Sequence, residues 1–393
     1  METVHQSPTD PDFVQNPYPF YETCRSAGSL VYWEDYGMVA AFPSNVVQAI
    51  LRDRRFGREI PTEFKKPVPE HLKPFYDIEA HSMLELEGER HKRLRRLVLQ
   101  AFTSRRINSL APEIEALSNN LIDAFPNGPF DLIRAYAQQI PIHVICWLLG
   151  APVGMSDQLL AWSNDMVAMY QARRTSEIEH AAAKASAEFT AFMRDYIDER
   201  RKKPADDLIT ELIAAEEDGT RLSTDEMITT CILLLNAGHE ATVHTIGNGV
   251  KALLEHGSNA SWLTPETIEG TVEEVLRYDP PLHVFTRYAY EDIEIAGHTF
   301  RRGDEVALML AAAGRDPKQW EEPDVFNPAR PIVTNAAFGG GLHFCVGAPL
   351  ARLELQIGLG TLFERCPNLR LHETAEYADL YHFHGLRQLM VQT

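Results

Sequence analysis

The spacing of apolar residues along the chain changes from a strand period to a helix period. Two apolar runs, Leu30–Trp33 and Met38–Phe42, flank a short polar stretch, which predicts an antiparallel hairpin. Prolines recur from Phe56 to Ser82, so we predict a long loop there. Helical spacing then dominates from Gly88 to about Ala215. This helical region breaks at prolines, namely Pro112, Pro126, Pro129, Pro152 and Pro204.

The clearest helix start lies at Ser223. Glu226 follows three residues later, the spacing of a capping box, and no proline interrupts the chain as far as Gly257. We therefore predict one long central helix over residues 223–256, about 50 Å in length. Its apolar stretch carries too many polar groups for a lipid-facing span, so we expect it to lie inside the protein.

Strand-like segments return after residue 280, at Val284–Tyr290, Ile293–Ile295 and Glu305–Met309. A last helix follows Cys345 and ends near Arg365. The order of elements predicts a mainly α fold with a minor β lobe. We expect one catalytic domain over residues 1–393, with a β-rich part at about 28–45, 284–310 and 368–393 and a helical part at about 86–280 and 345–366.

Composition narrows the classes of function. The net charge of −19 disfavours nonspecific nucleic-acid binding. The five cysteines are scattered, with no CxxC pair, which favours a reducing compartment over a disulfide framework. The first twenty residues contain acidic residues and prolines where a signal peptide needs a basic start and an apolar run. We therefore expect a cytoplasmic protein with no membrane anchor.

One cysteine, Cys345, lies in the string FGGGLHFCVG, where a glycine-rich loop opens a helix. Glycines let the backbone approach a large flat ligand, and the helix N-terminus favours a thiolate. A lone cysteine is most often a buried, inert residue. The whole string, however, resembles the haem-binding loop of the cytochrome P450 monooxygenases, soluble bacterial type. The matching residues are Phe338, Gly339, Gly341, His343, Cys345 and Gly347.

The resemblance implies a haem b with Cys345 as its axial thiolate ligand, and it extends to three further motifs. Glu274, Arg277 and Arg330 match the family's ExxR pair and its third arginine, a buried structural network. Exposed helical pairs of this kind are common, so alone they mean little. The resemblance also implies that four residues face the haem propionates or the ligand loop, namely His91, Arg95, Arg287 and His343.

The central helix carries the string Asn236 to Thr242. Ala237 and Gly238 are small enough to let a macrocycle and dioxygen approach, and Glu240 reads as a lone carboxylate for proton delivery. The family places threonine directly after this acid, where the chain has Ala241, and Thr242 comes one residue, or about 100°, later. We hypothesise that a substrate hydroxyl, an ordered water or His239 replaces the missing alcohol.

We expect a largely apolar pocket for a hydrophobic or amphipathic small molecule. By position its lining comprises Leu233, Leu282, His283, Phe285, Met169 and Phe383. Polar candidates for a substrate carboxylate or hydroxyl are His283, His382, His384, Arg173 and Arg174, although arginines at a pocket mouth are usually solvated.

The implied reaction is insertion of one oxygen atom from O2 into a C–H bond, with electrons from NAD(P)H delivered by a separate ferredoxin or flavodoxin and its reductase. Basic residues on an acidic protein predict where such a donor docks. They are Lys92, Arg93, Arg96 and Arg352. We expect a monomer. Two alternatives stay open: a peroxide-driven peroxygenase and a non-catalytic haem sensor or carrier.

Overall fold

The computed structural model describes residues 1–171, 174–215, 221–258, 260–381 and 383–393, with the side chain of Val153 excepted. The α-helices of these ranges are Pro11–Gln15 (α1), Tyr18–Ala27 (α2), Ser44–Arg52 (α3), Lys73–Glu79 (α4), Gly88–Ala101 (α5), Ser104–Ser109 (α6), Ala111–Asp123 (α7), Gln139–Leu149 (α8), Ser156–Val167 (α9), Ser176–Lys202 (α10), Leu208–Ala214 (α11), Thr224–Glu255 (α12), Ile268–Tyr278 (α13), Leu310–Gly314 (α14) and Ala348–Arg365 (α15). The strands are Glu2–Val4 (β1), Leu30–Trp33 (β2), Met38–Ala41 (β3), Phe56–Gly57 (β4), Phe130–Asp131 (β5), Val284–Ala289 (β6), Ile293–Ile295 (β7), His298–Phe300 (β8), Glu305–Met309 (β9), Arg370–Leu371 (β10), Glu376–Tyr377 (β11), Leu386–Gln388 (β12) and Met390–Gln392 (β13).

The long helix α12 confirms the prediction for residues 223–256. Ser223 caps it: its hydroxyl accepts the Glu226 N–H at 3.2 Å, and its own N–H donates to the Glu226 carboxylate at 2.8 Å. The helix packs against α8, α9, α10, α13 and α15 and is buried along most of its length. Within the described ranges, no helix combines the length and hydrophobicity needed to cross a lipid bilayer.

The β lobe is built on a six-stranded sheet with the order β1-β2-β3-β9-β6-β4. β2 and β3 form the predicted antiparallel hairpin, in which Leu30 pairs with Ala41. β3 runs parallel to β9, and β9 runs antiparallel to β6. Apolar side chains under this sheet form two small clusters, whereas the main core lies among the helices. The mainly α fold with a minor β lobe is confirmed.

The long loop predicted between Phe56 and Ser82 is wrong in part. It contains the short strand β4 and the helix α4, whose first turn holds Pro74. Proline is tolerated there because the first N–H groups of a helix have no intrahelical partner. Phe75 and Ile78 are buried and dock α4 on the helical core. Tertiary packing therefore overrides the proline signal.

Candidate active site

The glycine-rich segment 338–347 forms a tight loop before α15. The Cys345 N–H donates to the Phe338 carbonyl at 3.1 Å and closes this loop. Gly339 and Gly341 have φ angles of +70° and +65°, which side chains rarely adopt. A Cβ on Gly341 would also overlap the carbonyl oxygen of Leu51, at the end of α3. The loop therefore needs glycine to lie against α3 and still present Cys345.

Cys345 differs from every other cysteine of the chain because its side chain is exposed, whereas the other four are buried. Desolvation by the surrounding protein raises the pKa of its thiol. The N–H groups of Gly347 and Ala348, at the start of α15, and the guanidinium groups of Arg95 and Arg352 act in the opposite direction. Cys345 is thus exposed, and the polar groups nearest its sulfur favour the thiolate against the desolvation that favours the thiol.

The loop meets the start of α5 through two stacked histidines. The rings of His91 and His343 lie 4.3 Å apart and are inclined by 28°. His343 Nε2 lies 2.7 Å from Glu87, a residue that the sequence analysis did not single out. His91 is buried, its Nδ1 has no hydrogen-bond partner among the described residues, and burial lowers its pKa to about 4. Arg95 donates to the Phe344 carbonyl at 2.6 Å.

Arg287, on β6, is a buried cation. Its side chain bonds the carbonyl of Thr286 at 2.7 Å, and no carboxylate of the described residues lies within ion-pair distance. Burial and the nearby Arg58 lower the pKa of Arg287 to about 10. Arg58, which the sequence analysis missed, pairs with Glu85. A buried charge of this kind needs an anionic partner.

Glu240 is not the lone carboxylate that the sequence suggested. His244 Nε2 lies 3.1 Å from Oε1, and His239 Nδ1 lies 3.6 Å from Oε2. Burial raises the pKa of Glu240, but the two histidines outweigh it and lower the pKa well below its ordinary range. The Thr242 hydroxyl donates to the Gly238 carbonyl at 3.3 Å, so it is engaged by the helix itself.

The surface of α12 that remains accessible follows a regular spacing. Leu233 and Ala241 are half-buried and Ala237 is exposed, and the neighbouring Gly238 and Glu240 are half-buried as well, whereas residues 242–250 of this helix are buried. Positions four apart lie on one face of a helix. Small side chains at 237 and 241 therefore leave an open stripe along the middle of α12, beside Glu240.

Glu274 and Arg277 are buried, and the half-buried Arg330 joins them in one network. Both carboxylate oxygens of Glu274 lie 2.7 Å from nitrogens of Arg277, and Arg330 Nε lies 3.5 Å from Glu274. Arg277 also donates to the carbonyls of Gly314 and Pro323 at 2.8 and 2.7 Å. The network joins α13 to the segment that precedes the Cys345 loop.

Comparison with known proteins identifies the family. The family profile described as "Cytochrome P450" matches residues 38–261 and 266–377. The chain belongs to the cytochrome P450 family. It is 35% identical over 375 residues to the cytochrome P450 monooxygenase PikC of Streptomyces venezuelae, covering 92% of this chain and 86% of PikC. It is 37% identical over 377 residues to the vitamin D(3) 25-hydroxylase of Pseudonocardia autotrophica, covering 91% and 88%.

A solved structure agrees over nearly the whole chain. The crystal structure of P450BioI, in complex with an acyl carrier protein carrying hexadec-9Z-enoic acid, has a TM-score of 0.91 and 32% identity, with 97% of this chain and 99% of that one covered. This chain is therefore a P450 monooxygenase, and the family implies a haem with a cysteine thiolate ligand and dioxygen as substrate.

The residues present fit a haem. Arg287 is buried with no carboxylate of the described residues within ion-pair distance, and a propionate would supply that partner; the Nδ1 of His91, whose ring stacks on His343, has no hydrogen-bond partner among the same residues. Cys345 is the exposed cysteine. These features come from three separate segments of the P450 and converge on one site.

The pocket residues divide into two groups. Leu282 and Phe383 pair in an isolated antiparallel bridge, and Phe285 packs against Gly339, where an added Cβ would lie 3.0 Å from its ring. Met169 is buried in the helical core. His283 does not belong with them, because it is fully buried and its Nδ1 lies 2.8 Å from the Tyr21 hydroxyl.

His283 and His384 instead form a polar cluster around Asp279. His384 Nδ1 lies 3.1 Å and His283 Nε2 lies 3.8 Å from the same oxygen of Asp279. Tyr18 and Tyr377 donate to the two carboxylate oxygens at 2.7 and 2.5 Å. The oxygens of Asp279 are already engaged, so Asp279 is the centre of a structural ion-pair cluster, and both histidines face it and not the pocket. His382 and Arg173 lie outside the described residues, and Arg174 pairs with Glu179 at 2.8 Å.

The basic residues predicted to receive a donor are largely paired. Lys92 lies 2.7 Å from Glu89, and Arg93 pairs with Glu226. Arg352 lies 2.5 Å from Glu273 and covers the Phe338 ring at 4.7 Å. Arg96 is exposed. Their net positive charge is therefore smaller than the sequence suggests.

Proposed function

We propose that this P450 binds haem b through Cys345 and inserts one oxygen atom from O2 into a C–H bond of a hydrophobic or amphipathic small molecule. The observation that carries the proposal is the single exposed cysteine, presented by a glycine loop at the start of α15. When bound there, a thiolate-ligated haem supplies the dioxygen chemistry, because the thiolate donates electron density that favours O–O cleavage.

Other residues of the chain would hold the cofactor in place. We assign Arg287, His91 and Arg95 to the propionates. His343, fixed by Glu87, keeps the ring of His91 in its stacked position. Gly339 and Gly347 let the loop lie close to the macrocycle, with the Phe338 ring packed beneath Arg352. Because Arg287 and His91 are buried and short of partners, a bound propionate satisfies them.

We propose that Glu240 moves protons to the oxygen-binding side of the site. It is the carboxylate beside the open stripe of α12, and its two histidine partners keep it ionised between transfers. Ala241 offers no hydroxyl, and that of Thr242 already bonds Gly238. A substrate hydroxyl, an ordered water or His239 then takes the place of the alcohol. If Ala241→Thr changes neither the product yield per NADH nor the rate, this explanation fails.

The proposed substrate class rests on the pocket residues other than His283 and His384. These residues are Leu233, Leu282, Phe285, Met169 and Phe383, with Ala237 and Gly238 as the small residues of the floor. An apolar lining with one carboxylate suits a hydrophobic or amphipathic molecule. The relatives include proteins named vitamin D(3) 25-hydroxylase and mycinamicin IV hydroxylase/epoxidase.

We propose that electrons come from NAD(P)H through a reductase and a ferredoxin or flavodoxin. The docking surface would combine Lys92, Arg93, Arg96 and Arg352 with the exposed apolar residues Leu342 and Phe344 beside Cys345. An apolar centre with a charged rim is typical of protein interfaces.

The five free cysteines favour a reducing cytoplasm. We also propose that the protein is a monomer.

The first test is the spectrum of the dithionite-reduced protein under carbon monoxide. Wild type should show the red-shifted Soret band of a thiolate-ligated carbonyl haem, and Cys345→Ala should lose it, whereas Cys366→Ala should keep it. If the wild-type protein contains no haem even after reconstitution, the proposal is wrong.

A second test is turnover with NADH, ferredoxin and reductase. Turnover under these conditions excludes a non-catalytic sensor, and turnover that needs only peroxide would favour the peroxygenase suggested by Ala241.

A further inference from the structure

Two histidines of α12 hold the Glu240 carboxylate from both sides. His244 follows Glu240 by one helical turn and brings Nε2 to 3.1 Å from Oε1. His239 brings Nδ1 to 3.6 Å from Oε2. Residues four apart share one face of a helix, which places His244 and Glu240 side by side. The contact with His244 is the shorter one and has hydrogen-bond geometry.

The ring of His244 is itself confined by residues 383–386. A Cβ on Gly385 would overlap this ring, above all at Nδ1, so only glycine fits beside it. The Phe383 ring lies 5.9 Å from the His244 ring. His244 is 6% exposed, and its Nδ1 has no hydrogen-bond partner among the described residues. Packing against Gly385 thus sets the angle at which Nε2 meets Glu240.

The same segment reaches the proposed pocket, because Phe383 pairs with Leu282. A continuous path of contacts runs from the pocket lining through Phe383 and His244 to Glu240. At Ala241, next to Glu240, there is no hydroxyl to orient the carboxylate. Within the described residues, His244 is the group that contacts the carboxylate at hydrogen-bond distance.

We infer that His244 is a positioning residue for Glu240, and that residues 383–386 fix the angle of its imidazole against the carboxylate. The inference rests on the proposed role of Glu240 in proton delivery. Within the described residues, His239 and His244 are the titratable groups that face the carboxylate. His384, although adjacent to Gly385, faces Asp279. Burial by itself raises the pKa of Glu240. The combined effect of His239 and His244 explains why this pKa nevertheless lies well below its ordinary range.

Two substitutions of His244 separate the position of the donor from the size of the side chain. In His244→Gln, the amide nitrogen reaches the place of Nε2 and still donates to Glu240. In His244→Asn, the amide ends near the place of Nδ1 and does not reach the carboxylate. His256→Asn, at the C-terminal cap of the same helix, is the matched control. The pKa of Glu240 is read from the infrared band of its protonated carboxyl group in haem-loaded protein.

We expect His244→Asn to raise the pKa of Glu240 by about 1 to 3 units, as loss of a charged or donating neighbour does. His244→Gln and His256→Asn should leave it near the wild-type value. With NADH, ferredoxin, reductase and hexadec-9Z-enoic acid as the probe, His244→Asn should also send a larger share of the electrons to hydrogen peroxide than His244→Gln does.

Gly385→Ala should shift the pKa of Glu240 in the same direction, because it displaces the ring of His244. It should add little in the His244→Asn background, since both changes act through one ring. Gly360→Ala, whose added methyl meets nothing within 4 Å, is the control. If His244→Asn does not fold, the comparison of Gly385→Ala with Gly360→Ala carries the test.

If the pKa of Glu240 in His244→Asn equals that of wild type, the inference is overturned. It is also overturned if His244→Gln shifts this pKa as much as His244→Asn does. Glu240→Gln separates this failure from failure of the proposed function. If Glu240→Gln retains wild-type electron use, the proposed role of Glu240 is wrong. If Glu240→Gln is impaired and His244→Asn is not, Glu240 keeps its role and only the positioning inference falls.

Discussion

Two neighbouring glycines of the Cys345 loop should respond very differently to alanine. Gly341 has a φ of +65°, and an added Cβ would overlap a backbone oxygen of Leu51. The left-handed conformation costs about 1 to 2 kcal/mol in an L residue, and the overlap costs about 1 to 3 kcal/mol more. Gly340 has an extended φ of −168°, and its Cβ would meet the Leu51 side chain at 3.3 Å.

We therefore expect Gly341→Ala to weaken haem retention by about 2 kcal/mol at least, or roughly 30-fold, and Gly340→Ala to change it little. The rate of haem transfer to excess apomyoglobin measures retention directly. The carbon monoxide spectrum reports whether the haem that remains is still bound by thiolate. Equal retention in the two variants, or a larger loss in Gly340→Ala, would refute the steric reasoning.

Three further outcomes follow from the buried charges and the docking surface. Arg277→Leu leaves Glu274 buried without its main partner and should lower the free energy of unfolding by about 3 to 5 kcal/mol in urea; a loss below about 1 kcal/mol contradicts the network. Burial, together with the charge of His384, lowers the pKa of His283 from 6.5 to about 3. The stability that depends on neutral His283 is present above pH 6.5 and is lost as pH falls toward 3, so the urea midpoint of His283→Gln should fall less steeply than that of wild type over this range. The double variant Lys92→Glu, Arg352→Glu should slow reduction by ferredoxin and weaken its salt dependence in stopped flow, and an unchanged rate places the docking surface elsewhere.

Short sequence patterns correctly predicted the helices and strands whose ends are determined by nearby residues. The capping box at Ser223 located α12, and the spacing of apolar runs located β2 and β3. The helix α4 was not predicted, because the prolines of its segment indicate a loop locally. The burial of Phe75 that stabilises this helix depends on helices distant in the chain. Propensity is a weak guide where tertiary packing decides.

The candidate site shows the same division. The motif at residues 338–347 predicted Cys345 as the haem ligand, and the resemblance to the P450 family predicted the other residues around the haem. Glu87 and Arg58 were missed because each acts through a contact with a residue far away in the chain, His343 and Glu85 respectively. His283 was misplaced because a histidine in an apolar segment carries no signal of which neighbour it faces. Its hydrogen bond to Tyr21 is a property of the folded chain alone.

The cluster around Asp279 has a consequence for biosynthesis. His384 Nε2 reaches the carbonyl of Val14 in α1 at 3.2 Å, and its Nδ1 reaches Asp279 after α13. The strand β13, over Met390–Gln392, lies between β5 and β10 and pairs with both of them. The contact of α1 with His384 therefore forms only after a segment 370 residues later in the chain has been synthesised. Until residues 384–392 leave the exit tunnel, the nascent chain lacks both contacts of His384 and leaves this edge of β5 unpaired, and we expect it to bind chaperones during that interval.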